Sequence, residues 1–456
     1  GEAMTYNHGL WREQDYEEGK AALEKIGKTE EERLAKCNND LEKDLLGAVE
    51  LIYGEGTKYD RDIAYSKHMK ALNKKYPNNQ EVAAFYALSL LGSVKVGRDD
   101  EIYEQGAVIA QGILKENPNH PGALHYLIHS YDDPNNAVKA ITAANNYSKV
   151  APDAAHALHM PSHIYVALGM WDEVIASNID SYNASVNRMA RKELKSGARS
   201  YHAYHWWMYG ALQKGDIAAA DEIMKGMQQY VPEDPTRRAR SYMIEMKGTY
   251  LVETDNWDSP FNAIETDKED LNVVTQAADH FIDGMIAFKQ NDAVQLEAAI
   301  KEINKKRTNA ALLVSDEGVP LCNAGGAARN LPNKQDIDHS EIFETELMAL
   351  QAWMNKDDKK TEALLQKAVE QESTVTYSYG PPIIVKPTFE LYGEWLLEKG
   401  RAEDALKQFD YALKRGPKRM RALKGKLEAA KFLKDENLMS ETQALMDEIV
   451  NGTKAS

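Results

Sequence analysis

The sequence predicts an all-α fold, a solenoid of about ten helix pairs with a concave central groove. Three observations predict it. Apolar residues recur with helical spacing through most of the 456 residues, as amphipathic helices require. Gly and Pro fall between these segments, and no stretch alternates like a β-strand over any length. Similar segments also recur 34 residues apart, a period typical of helix-pair repeats.

One C-terminal segment carries the repeat most clearly. It reads KPTFELYGEWLLEKGRAEDALKQFDYALKRGPKR over 386–419 and closely resembles the tetratricopeptide (TPR) repeat. Small residues such as Gly393 and Ala405 let the paired helices approach closely, and Pro417 ends the second helix. The resemblance is fair over 121–154, 155–188 and 201–234, and weaker over 1–33, 38–77, 78–119, 241–260, 277–308 and 342–373.

We therefore predict one TPR-like α-solenoid over residues 1–456, with a histidine-lined half (1–234) and an acidic half (235–456). Loops that are long for a compact array are usually functional or disordered. The NAGGAARN stretch lacks the Lys-Ser/Thr ending of a phosphate-binding loop, so we favour a lid or an inter-repeat connection there. The departures from the repeat are a twelve-residue excess within 181–200 and long loops at 313–338 and 373–386.

Composition excludes several classes of function. The net charge of −16 is spread along the chain, which argues against nucleic acid and anionic membranes as partners, because both need basic patches. Cys37 and Cys322 are the only cysteines, too few for a disulfide framework or a thiolate zinc site. No apolar run approaches the ~18 residues of a membrane span. Because Gly1 already lies in a helical pattern, we expect the natural N-terminus to lie upstream.

The repeat register explains why the histidines are crowded. Nine of the twelve lie between residues 120 and 205 or at His8. His125 and His159 are 34 residues apart, and so are His129 and His163. His205 follows His159 by 46 residues, which is one repeat plus the twelve-residue excess. The fifth position of the first helix is therefore histidine in three successive repeats.

This register predicts a metal site. In TPR proteins the second, fifth, ninth, twelfth and thirteenth positions of the first helix face the groove. Neighbouring helices pack about 8–10 Å apart, and residues four apart lie about 5–6 Å apart. We predict that the imidazoles hold a transition metal, and histidine without cysteine suits Cu, Zn or Fe. Two alternatives stay open, a metal-free polar groove for an anionic ligand and purely structural histidines. The predicted ligands are His125, His129, His159, His163 and His205.

Further polar residues follow on the groove wall. Glu390 and Glu394 are candidate general bases, because the halves of a curved solenoid can face each other across the groove. Lys386 is expected over the groove mouth, paired with Glu390 or with an anionic ligand. The other groove positions of this second rank are His8, His156, His202, Tyr209, Asp132, Glu245 and Glu346.

Four motifs resemble an uncharacterised group of bacterial TPR-repeat proteins. They are NPNHPGALHYLIHSYDDP, APDAAHALHMPSHIYVALGMWDEVIASN, GEAMTYNHGLW and GPPIIVKPTFELYGEWLL. The resemblance covers nearly the whole chain but implies no activity. Members of the group often look exported, so the resemblance implies a periplasmic or cell-envelope location.

Two functions from different classes follow. In the first, the groove binds a transition metal that supports hydrolysis or oxidation of a small or extended, peptide-like ligand. In the second, the solenoid is a metal-free interaction scaffold whose polar groove binds a ligand or a protein partner. Whether the chain is an enzyme is left open by its sequence.

Overall fold

A computed structural model describes most of the chain, and its helices confirm the predicted all-α, TPR-type solenoid. The described residues are 1–10, 13–321, 331–377 and 379–452. The chain divides into two compact units. The first unit is Gly1–Tyr131 with Ala310–Gln335, and the second is Asp132–Asn309 with Asp336–Ser456.

The first unit begins differently from a helix pair. A 3-10 turn (Ala3–Tyr6) leads into a hairpin of β1 (Asn7–His8) and β2 (Glu13–Gln14), in which His8 pairs with Glu13. The Gln14 amide donates to the side chain of Asn7 and to the carbonyl of Ile52, which ties the hairpin to the helices behind it. The expectation that His8 holds a helical groove position is therefore wrong, because its backbone pairs as a strand.

From the second helix onward, successive helices of the first unit pack against one another in chain order. Thr57 and Asp60 form a capping box at the start of α4, which satisfies two otherwise unpaired backbone N–H groups. Pro121 occupies the first turn of α7, where its missing N–H costs nothing. The helices are α1 (Tyr16–Glu24), α2 (Glu30–Leu34), α3 (Asp40–Ile52), α4 (Lys58–Lys75), α5 (Gln80–Gly92), α6 (Asp100–Glu116) and α7 (Pro121–Ser130).

In the second unit, most of the helices that follow share one large apolar core, formed by side chains between Tyr182 and Phe409. Short 3-10 turns lie at Ala137–Ala140, Ser196–Ala198 and Pro260–Ala263. The helices are α8 (Ile141–Val150), α9 (Ala155–His159), α10 (Pro161–Leu168), α11 (Trp171–Arg191), α12 (Tyr201–Gln213), α13 (Ile217–Glu233), α14 (Arg237–Thr254), α15 (Val273–Lys289), α16 (Ala293–Ala311), α17 (Lys334–Met354), α18 (Asp358–Thr374), α19 (Thr388–Glu398), α20 (Ala402–Arg415), α21 (Met420–Leu433) and α22 (Glu436–Asn451).

The twelve-residue excess within 181–200 lengthens a helix. α11 continues for 21 residues to Arg191, and the 3-10 turn at Ser196–Ala198 then leads into α12. The extra residues therefore do not open a loop. They place the start of α12 beside the preceding repeat, which matters for the histidines described below.

A proline divides the first helix of the 155–188 repeat. Pro161 has no N–H to donate, so α9 ends at His159 and α10 begins at Pro161. Gly169 ends α10 with a φ of 65°, a left-handed conformation that favours glycine. A Cβ atom at this position would lie 2.6 Å from the carbonyl oxygen of Pro417. The glycine therefore also allows a close approach between distant parts of the second unit.

Contacts between distant repeats close the second unit upon itself. The indole of Trp171 donates to the carbonyl of Lys418 over 3.1 Å, and the backbone N–H of Met420 donates to the side chain of Gln213 over 2.8 Å. Arg419 lies between Glu253 and Glu390, with both carboxylates 2.5 Å from the guanidinium. All three of these charged side chains are buried. The C-terminal helices thus pack against the middle of the array.

The remaining expectations from the sequence concern membrane spans, the two cysteines and the long loop at 313–338. Among the described residues, no helix is both long and apolar enough to cross a bilayer. The thiol of Cys37 is free. The loop predicted over 313–338 ends earlier than expected, because α17 begins at Lys334, and Val314 and Pro320 form a β-bridge within it. Cys322 and all of NAGGAARN lie outside the described residues.

Candidate metal centre

Three imidazoles of the second unit converge through the same ring nitrogen. His159 ends α9, His163 lies in the first turn of α10, and His202 lies in the first turn of α12. The Nε2 atom of His159 is 3.1 Å from Nε2 of His163 and 2.9 Å from Nε2 of His202. In the three residues together, possible ligand nitrogens all lie within 4.8 Å of one another. We call this set the histidine trio.

The outer nitrogen of His159 is held by a buried asparagine. Its Nδ1 atom is 2.7 Å from Oδ1 of Asn178. The amide of Asn178 donates through Nδ2 to the carbonyl of Val174 over 2.7 Å, which fixes the direction of the amide. The oxygen therefore faces His159, and Nδ1 of His159 carries the hydrogen. Its Nε2 atom, which faces the trio, consequently offers a lone pair.

The other two histidines are oriented in the same way. Nδ1 of His163 is 3.3 Å from Oδ2 of Asp132, and both side chains are buried. Nδ1 of His202 is 2.8 Å from the hydroxyl of Tyr242. Each imidazole thus has a polar partner on its outer nitrogen. Such outer partners set the tautomer and the orientation of metal-binding histidines in general.

Two of the three imidazoles, those of His159 and His202, are electrically neutral near pH 7. Burial lowers the pKa of His159 well below its usual value, and the neighbouring imidazoles of His202 and His163 lower it further. Burial and the nearby His163 likewise hold the pKa of His202 well below its usual value. Neutral imidazole is the form that binds a metal ion.

Aromatic side chains enclose the trio. The indole of Trp206 stacks on His163 with ring centroids 4.9 Å apart and meets His159 edge-on at 4.7 Å. Tyr379, from the Pro-rich loop, lies over His163 at 4.5 Å. Gly380 follows with a φ of 100°, and a Cβ atom there would lie only 2.3 Å from the Trp206 ring. The 373–386 loop therefore reaches the histidines because glycine permits this approach.

The five histidines that the sequence predicts as metal ligands do not all lie in one cluster. His159 and His163 belong to the trio. The third residue of the trio is His202, which the sequence predicts only as a secondary groove residue. His205 is buried, and its Nε2 atom is 2.9 Å from the hydroxyl of Thr249. His125 and His129 belong to α7 of the first unit, where their ring centroids are 4.8 Å apart. His156 lies in α9, outside the histidine trio.

The acidic candidates are mostly engaged in ion pairs. Glu390 pairs with Arg419, whose guanidinium also donates to the hydroxyl of Tyr209 over 3.0 Å. Lys386 is buried and pairs with Glu394, so the expected pairing of Lys386 with Glu390 is wrong. Although burial alone raises it, Lys386 and Arg421 together lower the pKa of Glu394 to about 2. A carboxylate of such low basicity is a poor general base.

Two glutamates of the second rank differ from these. Burial raises the pKa of Glu245 to about 7, and its carboxylate is 3.7 Å from Nδ1 of His205. Glu346 is fully buried, and neither of its carboxylate oxygens has a hydrogen-bond partner in the described part of the chain. Burial and the nearby Glu372 raise its pKa well above the usual value. Glu346 is thus enclosed in the protein interior, whereas the side chain of Glu245 stays 40% accessible.

Sequence reasoning missed three residues that shape the trio. Tyr242 occupies the second position of the 241–260 segment, so the register that predicts His156 and His202 as groove residues also predicts Tyr242. Asn178 is fully buried on the apolar face of α11, and a polar residue on such a face is a recognisable signal. Tyr379 carries no comparable signal, because its position depends on the path of a loop.

Fold and site together define a helix-pair repeat protein with a cluster of three imidazoles, two of which are kept neutral by burial. No family model and no curated protein matches the chain. Solved structures similar in fold include the human IFIT1 dimer with m7Gppp-AAAA, which is 12% identical over 96% of this chain and 86% of that chain, at a TM-score of 0.36. The APC/C hetero-tetramer Cut9-Hcn1 is 10% identical over 88% of this chain and 67% of that chain, at a TM-score of 0.36. Naa15/Naa10 bound to HypK-THB is 13% identical over 87% of this chain and 62% of that chain, at a TM-score of 0.28.

Similarity at this level concerns the helical fold alone. The ligands and partners of those proteins therefore say nothing about what this chain binds. The bacterial origin and the exported location implied by the sequence motifs stay predictions.

Proposed function

We propose that the second unit binds a transition metal ion through Nε2 of His159, His163 and His202. One observation carries the proposal. The outer partners Asn178 and Asp132 take the Nδ1 hydrogens of His159 and His163, so two Nε2 lone pairs face each other over 3.1 Å. Two lone pairs at this distance repel each other unless a cation lies between them.

The spacing of the trio supports a metal ion. Zinc–nitrogen bonds are about 2.0–2.1 Å long, so the nitrogens of a tetrahedral site lie about 3.3 Å apart. The two Nε2 separations of 3.1 and 2.9 Å are close to this value. Three neutral imidazoles without a thiolate suit Zn²⁺, Cu²⁺ or Fe²⁺. Three protein ligands also leave one position of a tetrahedral ion for water or a ligand, as in catalytic zinc sites.

A metal-free protein would need a different arrangement of protons. His163 would then carry both ring hydrogens, with Nδ1 donating to Asp132 and Nε2 donating to His159. That arrangement places an imidazolium among aromatic rings with one buried carboxylate as its counter-ion. Burying such a pair removes two charges from water and costs several kcal/mol per ion before their attraction is counted.

The test compares two neighbouring histidines of α12. The purified full chain is analysed for bound metal after loading with Zn²⁺, Cu²⁺ or Fe²⁺ and removal of free ions. We expect His202→Ala to lose the metal and His205→Ala to keep it at wild-type stoichiometry. The ligand set predicted from sequence alone gives the opposite result, because it includes His205 and leaves out His202.

Two further variants complete the experiment. The double variant His159→Ala with His163→Ala should be metal-free, and circular dichroism must show that its helices are intact. The double variant His125→Ala with His129→Ala should keep the metal of the trio. Wild-type protein that stays metal-free under all three loadings contradicts the proposal.

A further inference from the structure

A separate cavity of about 250 Å³ adjoins the trio within the second unit. Helices α12, α14 and α15 form its walls, and the Pro-rich loop from Tyr379 to Val385 covers one side. His202 and Trp206 belong to the trio or its aromatic enclosure and also line the cavity. The cavity therefore borders the proposed metal centre, although its other lining residues take no part in metal ligation.

Most of the cavity wall is apolar or aromatic. The rings of Trp206, Tyr242 and Tyr379 face it, and Pro381 and Pro382 extend the same side. Val274, Ala278 and Ile282 on α15 add an aliphatic wall. A planar apolar ligand gains about 25 cal/mol for each Å² of apolar surface removed from water. Aromatic side chains add specific edge or stacking contacts with a planar ring.

One end of the cavity is polar, with a hydrogen bond between Thr249 and His205 and the carboxylate of Glu245 beside them. The hydroxyl of Thr249 is 2.9 Å from Nε2 of His205, and Nδ1 of the same ring is 3.7 Å from the carboxylate of Glu245. Burial lowers the pKa of His205 to about 3, so this imidazole is neutral at pH 7. Glu245 keeps 40% of its side-chain surface accessible because it faces the cavity. Its carboxylate is therefore available to a ligand in the cavity.

The charge of the lining selects against anions. Among the described residues that line the cavity, none is lysine or arginine, and Glu245 is the only carboxylate. A ligand carboxylate or phosphate would lose its water here without gaining a counter-ion, which is strongly unfavourable. A hydroxyl group, in contrast, can donate a hydrogen bond to Glu245. Hydrogen bonds to a charged acceptor are about twice as strong as neutral ones.

We infer that this cavity binds a neutral aromatic alcohol, with its ring between the aromatic and aliphatic walls and its hydroxyl donating to Glu245. The inference goes beyond the metal centre, because neither the walls nor the polar end needs a bound ion. It identifies an uncharged ligand class, in contrast to the anionic ligand that the sequence alone left open.

The experiment uses a pair of probes with the same ring system. 1-Naphthol is neutral at pH 8, and 1-naphthoate carries a carboxylate in place of the hydroxyl. Both are titrated into the metal-free full chain by calorimetry. We expect 1-naphthol to bind at least tenfold more tightly than 1-naphthoate. Equal affinities, preference for 1-naphthoate or no binding of either probe would overturn the inference.

Two variants locate the binding. Glu245→Gln should weaken 1-naphthol binding about tenfold, because a neutral amide replaces the charged acceptor. Ala278→Phe fills the cavity and should abolish binding, whereas Val294→Phe, on an exposed side of α16, should not change it. Unchanged 1-naphthol binding in both Glu245→Gln and a folded Ala278→Phe would place the ligand elsewhere and refute the inference.

The same titration separates this inference from the proposed metal site. His163→Ala removes a trio residue that does not line the cavity, so it should leave 1-naphthol binding intact. A protein that binds no metal but binds 1-naphthol supports the cavity alone. A protein that binds metal through the trio but does not bind 1-naphthol refutes the cavity alone.

Discussion

The replacement of Asp132 by asparagine tests how the trio is oriented. Asp132 accepts from Nδ1 of His163 over 3.3 Å, and both side chains are almost inaccessible to water. Asp132→Asn keeps the shape and a neutral acceptor but removes the charge that fixes the ring and raises its basicity. We therefore expect weaker metal binding with an unchanged fold.

The magnitude follows from the geometry. Losing an outer partner of a metal-binding histidine typically costs 10–100-fold in affinity. The 3.3 Å separation is longer than the roughly 2.7–2.9 Å of strong charge-assisted hydrogen bonds. The expected loss therefore lies at the lower end, about tenfold, which equals about 1.4 kcal/mol.

A competition titration against a chelator of known affinity measures this loss. The matched control is Asp172→Asn, which removes an exposed aspartate from a surface ion pair with Lys214 and should bind metal as the wild type does. If Asp132→Asn also binds with wild-type affinity while His163→Ala does not, the carboxylate does not orient His163 and the reasoning is refuted.

Three further predictions concern stability. Arg419→Met should lower the free energy of unfolding by about 3–5 kcal/mol in urea titrations, because it leaves two buried glutamates without their counter-ion; a loss below about 1 kcal/mol contradicts this. Burial raises the pKa of Glu346 above its value near 4.5 in the unfolded chain, so the wild type loses stability as the pH rises beyond 4.5. The side chain of Glu346→Gln does not titrate. The stability of this variant relative to the wild type should therefore increase with pH, by at most about 1.4 kcal/mol per pH unit. A pH-independent difference would refute it. Gly380→Ala should lower the melting temperature and change the near-ultraviolet circular dichroism, because the new Cβ displaces the ring of Trp206; an unchanged spectrum would contradict the close approach.

The helical register predicted a large part of the site because residues on helices repeat with fixed geometry. The four-residue spacing of His159 and His163 places both on one face, even though Pro161 divides the helix between them. The same register placed His202 on the groove wall but ranked it below His205. Whether His202 or His205 approaches His159 depends on which turn of α12 packs against α9. Sequence spacing alone does not determine this packing.

The remaining features depend on contacts between segments far apart in the chain. Tyr379 reaches His163 through a loop whose path is set by Gly380 and two prolines. The ion pairs of Arg419 join segments up to 166 residues apart, since Glu253 is one partner. Local propensity carries no information about such pairings. For the same reason the hairpin at Asn7–His8 was missed, because a two-residue strand has no periodicity to detect.

The closure of the second unit has a consequence for how this array unfolds. In an open repeat array each repeat contacts only its neighbours, so ends can fray and stability is nearly a sum of local contributions. Here Met420 bonds to Gln213 and Lys418 bonds to Trp171, across 207 and 247 residues. These contacts raise the contact order and connect the last helices to the middle ones. The second unit should therefore lose its structure in one cooperative transition and fold slowly for a helical protein.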